Sequence, residues 1–301
     1  MKYRLAHVLE YAAARTACGL LAAVPPRAAL ALAWGPVRLA FALAGKLRAR
    51  TRRRLRQALG PEKSGKELDR IAWLAFRNLA FTAVEGMRLP GIRKEWVDRH
   101  MDPGPLAEVR AALAAGRGFI VAVPHMGNWE LAGIALQTQG VNLMTLARRQ
   151  RNPLMNAWIN RIRTRTGVEA VDTKSREVAS VAQKLNLGNR VLAILPDVRA
   201  KAGGVRVCYL GVETEVPAGA AHYAREADVP VYTAEVVRTG WARHGWRLTG
   251  RIEPDRAQAP AEDRRRIMQY VMDRFGESVR AYPESYFWFN KRWVLGEEAK
   301  S

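Results

Sequence analysis

A chain of 301 residues can form one large domain with its own core, or two small ones. With 49% hydrophobic and 26% charged residues it excludes wholesale disorder. Its 49 Lys and Arg against 28 Asp and Glu leave a formal charge of +21 and a pI near 10.8, which requires a polyanionic partner, nucleic acid or anionic lipid.

The first hundred residues read as helical. Two apolar segments, 3–23 and 27–45, are separated by Pro25-Pro26, a stop and a restart. The uncharged stretch Thr16 to Pro25 is too short to span a bilayer, and Ala28 to Gly45 is broken by Gly35, Pro36 and Arg38. Ala12-Ala13-Ala14 is followed by charge, which argues against a cleaved signal peptide. Both segments suit helices lying in an interface. The run from Lys46 to Gln57 carries Lys46, Arg48, Arg50, Arg52, Arg53, Arg54 and Arg56 without an acid, and reads as a clamp on an anionic membrane surface, each cation worth about 1 kcal/mol if it reaches the leaflet. Residues 1–57 are therefore assigned to membrane association and 58–301 to a second unit. Ser64-Gly65-Lys66-Glu67 is a capping box that starts a helix running to about Met87.

From residue 105 helices and strands alternate. Helices are expected at 105–116, 128–139, 153–166 (capped by Asn152 and stopped by Gly167), 175–188, 217–227 and 260–281, and strands at 118–123, 141–146, 190–195, 205–210, 229–236 and 246–252. That order predicts an α/β unit with a central, mainly parallel sheet covered by helices on both faces, preceded by and packed against the N-terminal helices. The two cysteines, Cys18 and Cys208, are too few for a metal cluster or a disulfide framework and read as small buried hydrophobes in a reducing compartment.

The stretch richest in chemistry is Gly118-Phe-Ile-Val-Ala-Val-Pro-His125-Met-Gly-Asn-Trp-Glu130. It places His125 just past the carboxyl end of a buried strand, where sites gather in open α/β sheets. Residues five apart on one continuous helix point about 140° apart. With Gly127-Asn128 as a turn, the Glu130 carboxylate can instead fold back toward the imidazole. Glu130 is thus expected to fix the ring's tautomer and leave its other nitrogen to take a hydroxyl proton. The neighbourhood offers too few ligands for a metal. His7, His100, His222 and His244 lack such a setting. Between Thr145 and Val168 lie Arg148, Arg149, Arg151, Arg161, Arg163 and Arg165 without an acid. The last three complement a helix C-terminus, while Arg148 and Arg149, just past a strand, suit a phosphate.

His125-Met-Gly-Asn-Trp-Glu130 resembles the H-x4-D/E signature of the lipid A late acyltransferases and the related phosphatidylinositol mannoside acyltransferases. The resemblance extends to the greasy basic front, Arg148-Arg149 to Asn152-Pro153, Leu195-Pro196-Asp197, Tyr209-Leu210-Gly211 with Thr214 and Gly219, and the aromatic-basic tail Pro283-Glu284 to Lys291-Arg292-Trp293. It departs from the family pattern at Val198, where Gln is common, and in the pair Tyr209-Leu210, where two aromatics are common. The resemblance implies a hydrophobic acyl groove in the 58–301 unit and a place on the cytoplasmic face of the bacterial inner membrane. It implies an acyl thioester donor, on acyl carrier protein or coenzyme A, and a glycolipid hydroxyl as acceptor, in lipid A and lipopolysaccharide synthesis or on phosphatidylinositol mannoside or another phospholipid. No resident cofactor is implied. Carried over by position, His125 is the base and Glu130 its partner, with Arg148, Arg149, Asn152, Asp197 and Arg292 toward substrate.

Other classes fit less well. Nucleic-acid binding is disfavoured because the cations adjoin apolar helices instead of interleaving with stacking aromatics. A non-catalytic anionic-lipid-binding protein would not need His125. A hydrolase would use the same base on water. The tail aromatics Tyr282, Tyr286, Phe287, Trp288, Phe289 and Trp293 suit either core packing or an interfacial lid.

Overall fold

A computed structural model describes residues 3–89, 93–147 and 149–296. Four helices open the chain: α1 (Leu5–Ala23), α2 (Pro26–Leu43), α3 (Gly45–Leu59) and α4 (Gly65–Arg88). Pro26 stands at the first turn of α2, where its missing N–H costs nothing. At α4 the capping box forms as the sequence requires, with the Glu67 amide donating to the Ser64 hydroxyl and the Ser64 amide to the Glu67 carboxylate. The buried stripe of α4 runs through Leu68, Ala72, Ala75, Asn78, Phe81 and Glu85, one helical face that turns polar at Asn78 and Glu85. Helices α1, α2 and α3 pack on α4. No single helix among the described residues is long and apolar enough to cross a membrane; α2 and α3 meet that length and composition only as a pair bent by 84°.

The remaining elements are α5 (Lys94–His100), α6 (Leu106–Ala114), β1 (Phe119–Ala122), α7 (Trp129–Thr138), β2 (Asn142–Ala147), α8 (Pro153–Thr166), β3 (Glu169–Asp172), α9 (Val181–Asn186), β4 (Arg190–Ile194), β5 (Val205–Tyr209), β6 (Val212–Val216), α10 (Gly219–Ala227), β7 (Val231–Arg238), β8 (His244–Ile252) and α11 (Pro260–Ala281). The main sheet has the order β3-β2-β4-β1-β7-β8; all neighbours are parallel except β7 and β8. All four residues of β1 are buried. Ile120 and Ala122 join a core with α9, α10 and α11, while Phe119 and Val121 join a separate cluster with Val109, Leu136 and Leu143. Both faces are therefore covered, as the unbroken apolar run demands. After β1 the chain fills one side of it with β2, β3 and β4, then crosses to β7 and β8. The carboxyl ends of β1 and β4 lie side by side at this reversal, the place where sites gather in open α/β sheets.

Several features differ from the sequence expectation. The strand expected at 205–210 is the first arm of a separate two-stranded hairpin, β5 with β6, turning through Leu210 (φ +52°) and Gly211 (φ +83°). A leucine in a turn that usually takes Asn or Gly at this position hid the hairpin. Cys208 faces outward on β5 and is exposed, whereas Cys18 is buried. The helix expected to start at Ser175 opens as a 3-10 turn, Arg176–Ser180. Ser175 makes no cap and bonds the Asp172 carbonyl instead. Arg54, read as part of the surface clamp, is 2% exposed and donates to the carbonyls of Trp288 and Asn290.

Candidate active site

The site grows from the register of two parallel strands. Ala122 of β1 pairs with Ile194 of β4, and the amide of Val123 carries the ladder on to the Ile194 carbonyl. Three residues on from each partner stand His125 and Asp197, placed side by side by the pairing. Asp197 is 2% exposed. Its Oδ2 accepts the backbone N–H of His125 at 2.9 Å, and its Oδ1 lies 2.7 Å from the His125 Nδ1. One carboxylate thus holds both the main chain and the ring. An acceptor-only partner on Nδ1 puts the proton there and leaves the Nε2 lone pair free. Nε2 has no hydrogen-bond partner among the described residues, and 21% of the side chain is open to solvent. Burial opposes the imidazolium, but the charge and hydrogen bond of Asp197 outweigh it, and the His125 pKa lies above its ordinary value.

The loop after His125 is fixed on three sides. Gly127 adopts φ +60°, and a Cβ there would meet the Val236 carbonyl oxygen at 2.3 Å, so only glycine fits. Asn128 caps α7 by accepting the Leu131 amide at 3.1 Å, and its Nδ2 donates to Glu85 at 2.8 Å. Glu85 is buried and also takes Arg238 at 2.7 Å and His244 at 3.1 Å. Burial pushes the Glu85 carboxyl up, but these hydrogen bonds and charges bring its pKa down to about 2. From the C-terminal side, Gly127 N–H donates to the Ser285 carbonyl and Phe287 N–H to the His125 carbonyl, each at 2.8 Å. Trp129 and Phe287 stand 5.2 and 6.3 Å from the imidazole, centroid to centroid, and give the ring an apolar rim. Tyr209 and Tyr286 are buried; burial first, and the nearby Asp197 charge as a further cause, hold both phenols well above their ordinary pKa.

Sequence reasoning paired His125 with Glu130, and here the structure differs. Glu130 lies in the first turn of α7, exposed, with no hydrogen bond to His125 among the described residues. Glu130 is the second residue of α7, whose start the Asn128 cap fixes. The carboxylate that holds the ring is Asp197, which sequence reasoning placed toward substrate. The available signal was the matched ends of two apolar strands, Val-Ala-Val-Pro-His125 and Ala-Ile-Leu-Pro-Asp197. Asn152 caps α8 with its oxygen and donates from Nδ2 to the His7 carbonyl and to Glu10, so its amide is engaged within the chain, tying α1 to α8. Arg149 is exposed two residues beyond β2. Arg148 lies outside the described residues. Arg292 donates to the Arg199 carbonyl and, with Arg199, Lys201 and Lys291, lines an open, cation-rich cavity of about 310 Å³. Thr214 bonds the Val294 carbonyl, holding the β5–β6 hairpin on the C-terminal segment. Glu85, Arg238 and His244 carried no sequence signal, since their partners lie far away in the chain.

A solvent-facing imidazole nitrogen, backed by a buried carboxylate, can take a proton from an alcohol or from water. Comparisons with known proteins choose the chemistry. The family model described as bacterial lipid A biosynthesis acyltransferase matches residues 4–294. The phosphatidylinositol mannoside acyltransferase of Mycolicibacterium smegmatis is 26% identical over 222 residues, covering 72% of this chain and 71% of that protein. Its namesake from Mycobacterium tuberculosis strain H37Rv is 28% identical over 214 residues, covering 70% and 66%. The chain belongs to the bacterial lipid A biosynthesis acyltransferase family and is an enzyme that transfers acyl groups.

Proposed function

We propose that the chain moves a fatty acyl group from a thioester, on acyl carrier protein or coenzyme A, to a sugar hydroxyl of a phosphate-bearing glycolipid at a membrane surface. The observation that carries this reading is the Asp197–His125 pair at 2.7 Å beside an apolar rim. His125 Nε2 takes the hydroxyl proton as the sugar oxygen attacks the thioester carbonyl. Asp197 keeps the proton on Nδ1 and stabilises the imidazolium. The tetrahedral intermediate collapses with loss of thiolate, which takes the proton from Nε2. The products are an oxygen ester and a free thiol, and no acyl-enzyme forms. Glu130, Arg149 and Arg292 are assigned to substrate contact around this pair.

The family description supports a lipid A type of acceptor, and the names of the curated relatives support a phosphatidylinositol mannoside type; both are sugars on phosphate-bearing lipids. Membrane attachment is supported by surface chemistry. Most of the exposed large hydrophobics among the described residues lie in α1 and α2, including Leu5, Leu9, Leu20, Leu32, Leu39 and Leu43. On the same reading the chain works at the cytoplasmic face of the inner membrane, a placement supported by the cytoplasmic origin of acyl thioester donors.

The test is direct. Purified protein given an acyl thioester and a glycolipid acceptor is expected to form the acylated lipid. The His125→Ala protein is expected to keep its circular dichroism spectrum and lose at least 100-fold in rate. A normal rate from that variant would remove the mechanism.

A further inference from the structure

Helices α2, α3 and α4 line a half-open cavity of about 1040 Å³ that the proposed chemistry does not use. Arg38, Arg48, Arg52, Arg53, Arg56 and Arg70 line it around Phe41 and Trp73, and Asp69 is the acid among the lining residues. Asp69 is already met by Arg52 at 3.6 Å. Arg48, Arg53, Arg56 and Arg70 have no ion pair among the described residues. Arg38 lies 4.6 Å over the Trp73 ring and Arg48 5.9 Å from the centre of Phe41, so ring faces hold two of the guanidiniums in place.

The local backbone adds to the charge. Helix α3 starts at Gly45 on the cavity wall, with no acid in its first turn. Lys46 and Arg48 follow at once, at the end of a helix that is itself positive. Positive charge is thus stacked on positive charge twice over, by side chains and by the helix. A bound anion relieves both. Guanidinium forks match the oxygens of phosphate, two hydrogen bonds at a time.

We propose that this cavity binds the phosphate of a co-substrate whose reacting end lies at His125. A continuous path of aromatic rings joins the two places. Phe41 stands 5.2 Å from Phe76, Phe76 5.7 Å from Phe289, Phe289 6.2 Å from Phe287, and Phe287 6.3 Å from His125, centroid to centroid. Such a path suits the apolar body of a molecule held by its charged end. The identity of that molecule as a co-substrate rests on the acyl-transfer reading, but the phosphate binding does not. The phosphate belongs either to a lipid headgroup or to a coenzyme A donor.

Calorimetry on the full-length protein in detergent tests this with three probes: dihexanoyl phosphatidylinositol, coenzyme A and phosphate-free dihexanoylglycerol. At least one phosphate probe is expected to saturate. The Arg53→Gln/Arg56→Gln protein is expected to raise that Kd at least tenfold, and Arg70→Gln to raise it in the same direction. Saturation by the lipid identifies a headgroup site, and saturation by coenzyme A a donor site. The proposal is overturned if neither phosphate probe binds, if dihexanoylglycerol binds as well as they do, or if the variants bind like the parent, even where acidic carrier protein binds instead. Should the double variant fail to fold, Arg70→Gln decides. Because these are binding readouts, their failure is distinct from failure of the transfer assay.

Discussion

His125 is held at two points by one carboxylate, and that geometry sets what each neighbouring acid can do. Asp197 reaches the ring from the end of the neighbouring strand, whereas Glu130 is exposed in the first turn of α7 and makes no hydrogen bond to it among the described residues. Asp197→Asn is therefore expected to lose about 100-fold or more in kcat, because an amide can present its N–H to Nδ1 and fix the wrong tautomer. Glu130→Gln is expected to lose less, with the larger share in KM for the lipid. Steady-state kinetics of the two proteins check this, and an equal or greater kcat loss in Glu130→Gln would return the partner role to Glu130. The sequence showed His125 itself, through the strand before it and the turn after it. The partner was harder to see. A carboxylate five residues away is more visible than one 72 residues away, and their proximity exists only once β1 and β4 pair in register.

At the scale of elements, α7 and α4 are locked together through Asn128 and Glu85. The cap and the buried ion pair form one network, with Glu85, Arg238 and His244 all shielded from water. Removing one member strands a buried charge. Glu85→Ala is expected to cost about 3–5 kcal/mol, and Asn128→Ala about 1–2 kcal/mol through the lost cap, both read by urea denaturation. A cost below about 1 kcal/mol for Glu85→Ala would show that the network is slack. The Glu85 pKa is lowered on folding, so its contribution is present above the unfolded value near 4.5 and is lost as pH falls toward about 2. Acid denaturation of Glu85→Gln should lack that component. Helix limits were largely legible, with α8 and α11 falling where Asn152-Pro153, Gly167 and Pro260 place them. The elements that escaped were short: α5, the edge strand β3 of four residues, and the hairpin arm β6. α5 and β3 are too short to declare a period, and β6, Val-Glu-Thr-Glu-Val, alternates but follows β5 after a turn that the leucine concealed.

On the scale of the whole molecule, the N-terminal helices do two jobs. Their inner faces belong to the body, since Leu55 is fully buried and Arg54 holds the C-terminal segment, with its guanidinium 5.1 Å from the Trp293 ring. That segment in turn pins the His125 loop, so the aromatic tail is mainly packing, with Trp288 fully buried, while Phe287 keeps a place at the site. The outer faces of α1 and α2 carry exposed leucines. Replacing Leu32, Leu39 and Leu43 by Ser together is expected to reduce binding to anionic vesicles at least tenfold in a flotation assay, with little change in thermal stability. Unchanged flotation would place the membrane contact elsewhere. The division of labour within α3 was not legible, because a run of arginines does not announce which one turns inward.

The most direct measurement of the account is the pH dependence of kcat for the parent and for Asp197→Asn. A base works only when neutral, so the parent rate should rise with pH along a limb set by the raised His125 pKa. Without the carboxylate, burial alone acts on the imidazole and pushes its pKa down. The limb of Asp197→Asn should then move to lower pH while its plateau falls at least 100-fold. A limb that stays in place, with the plateau intact, would contradict an imidazole base governed by Asp197.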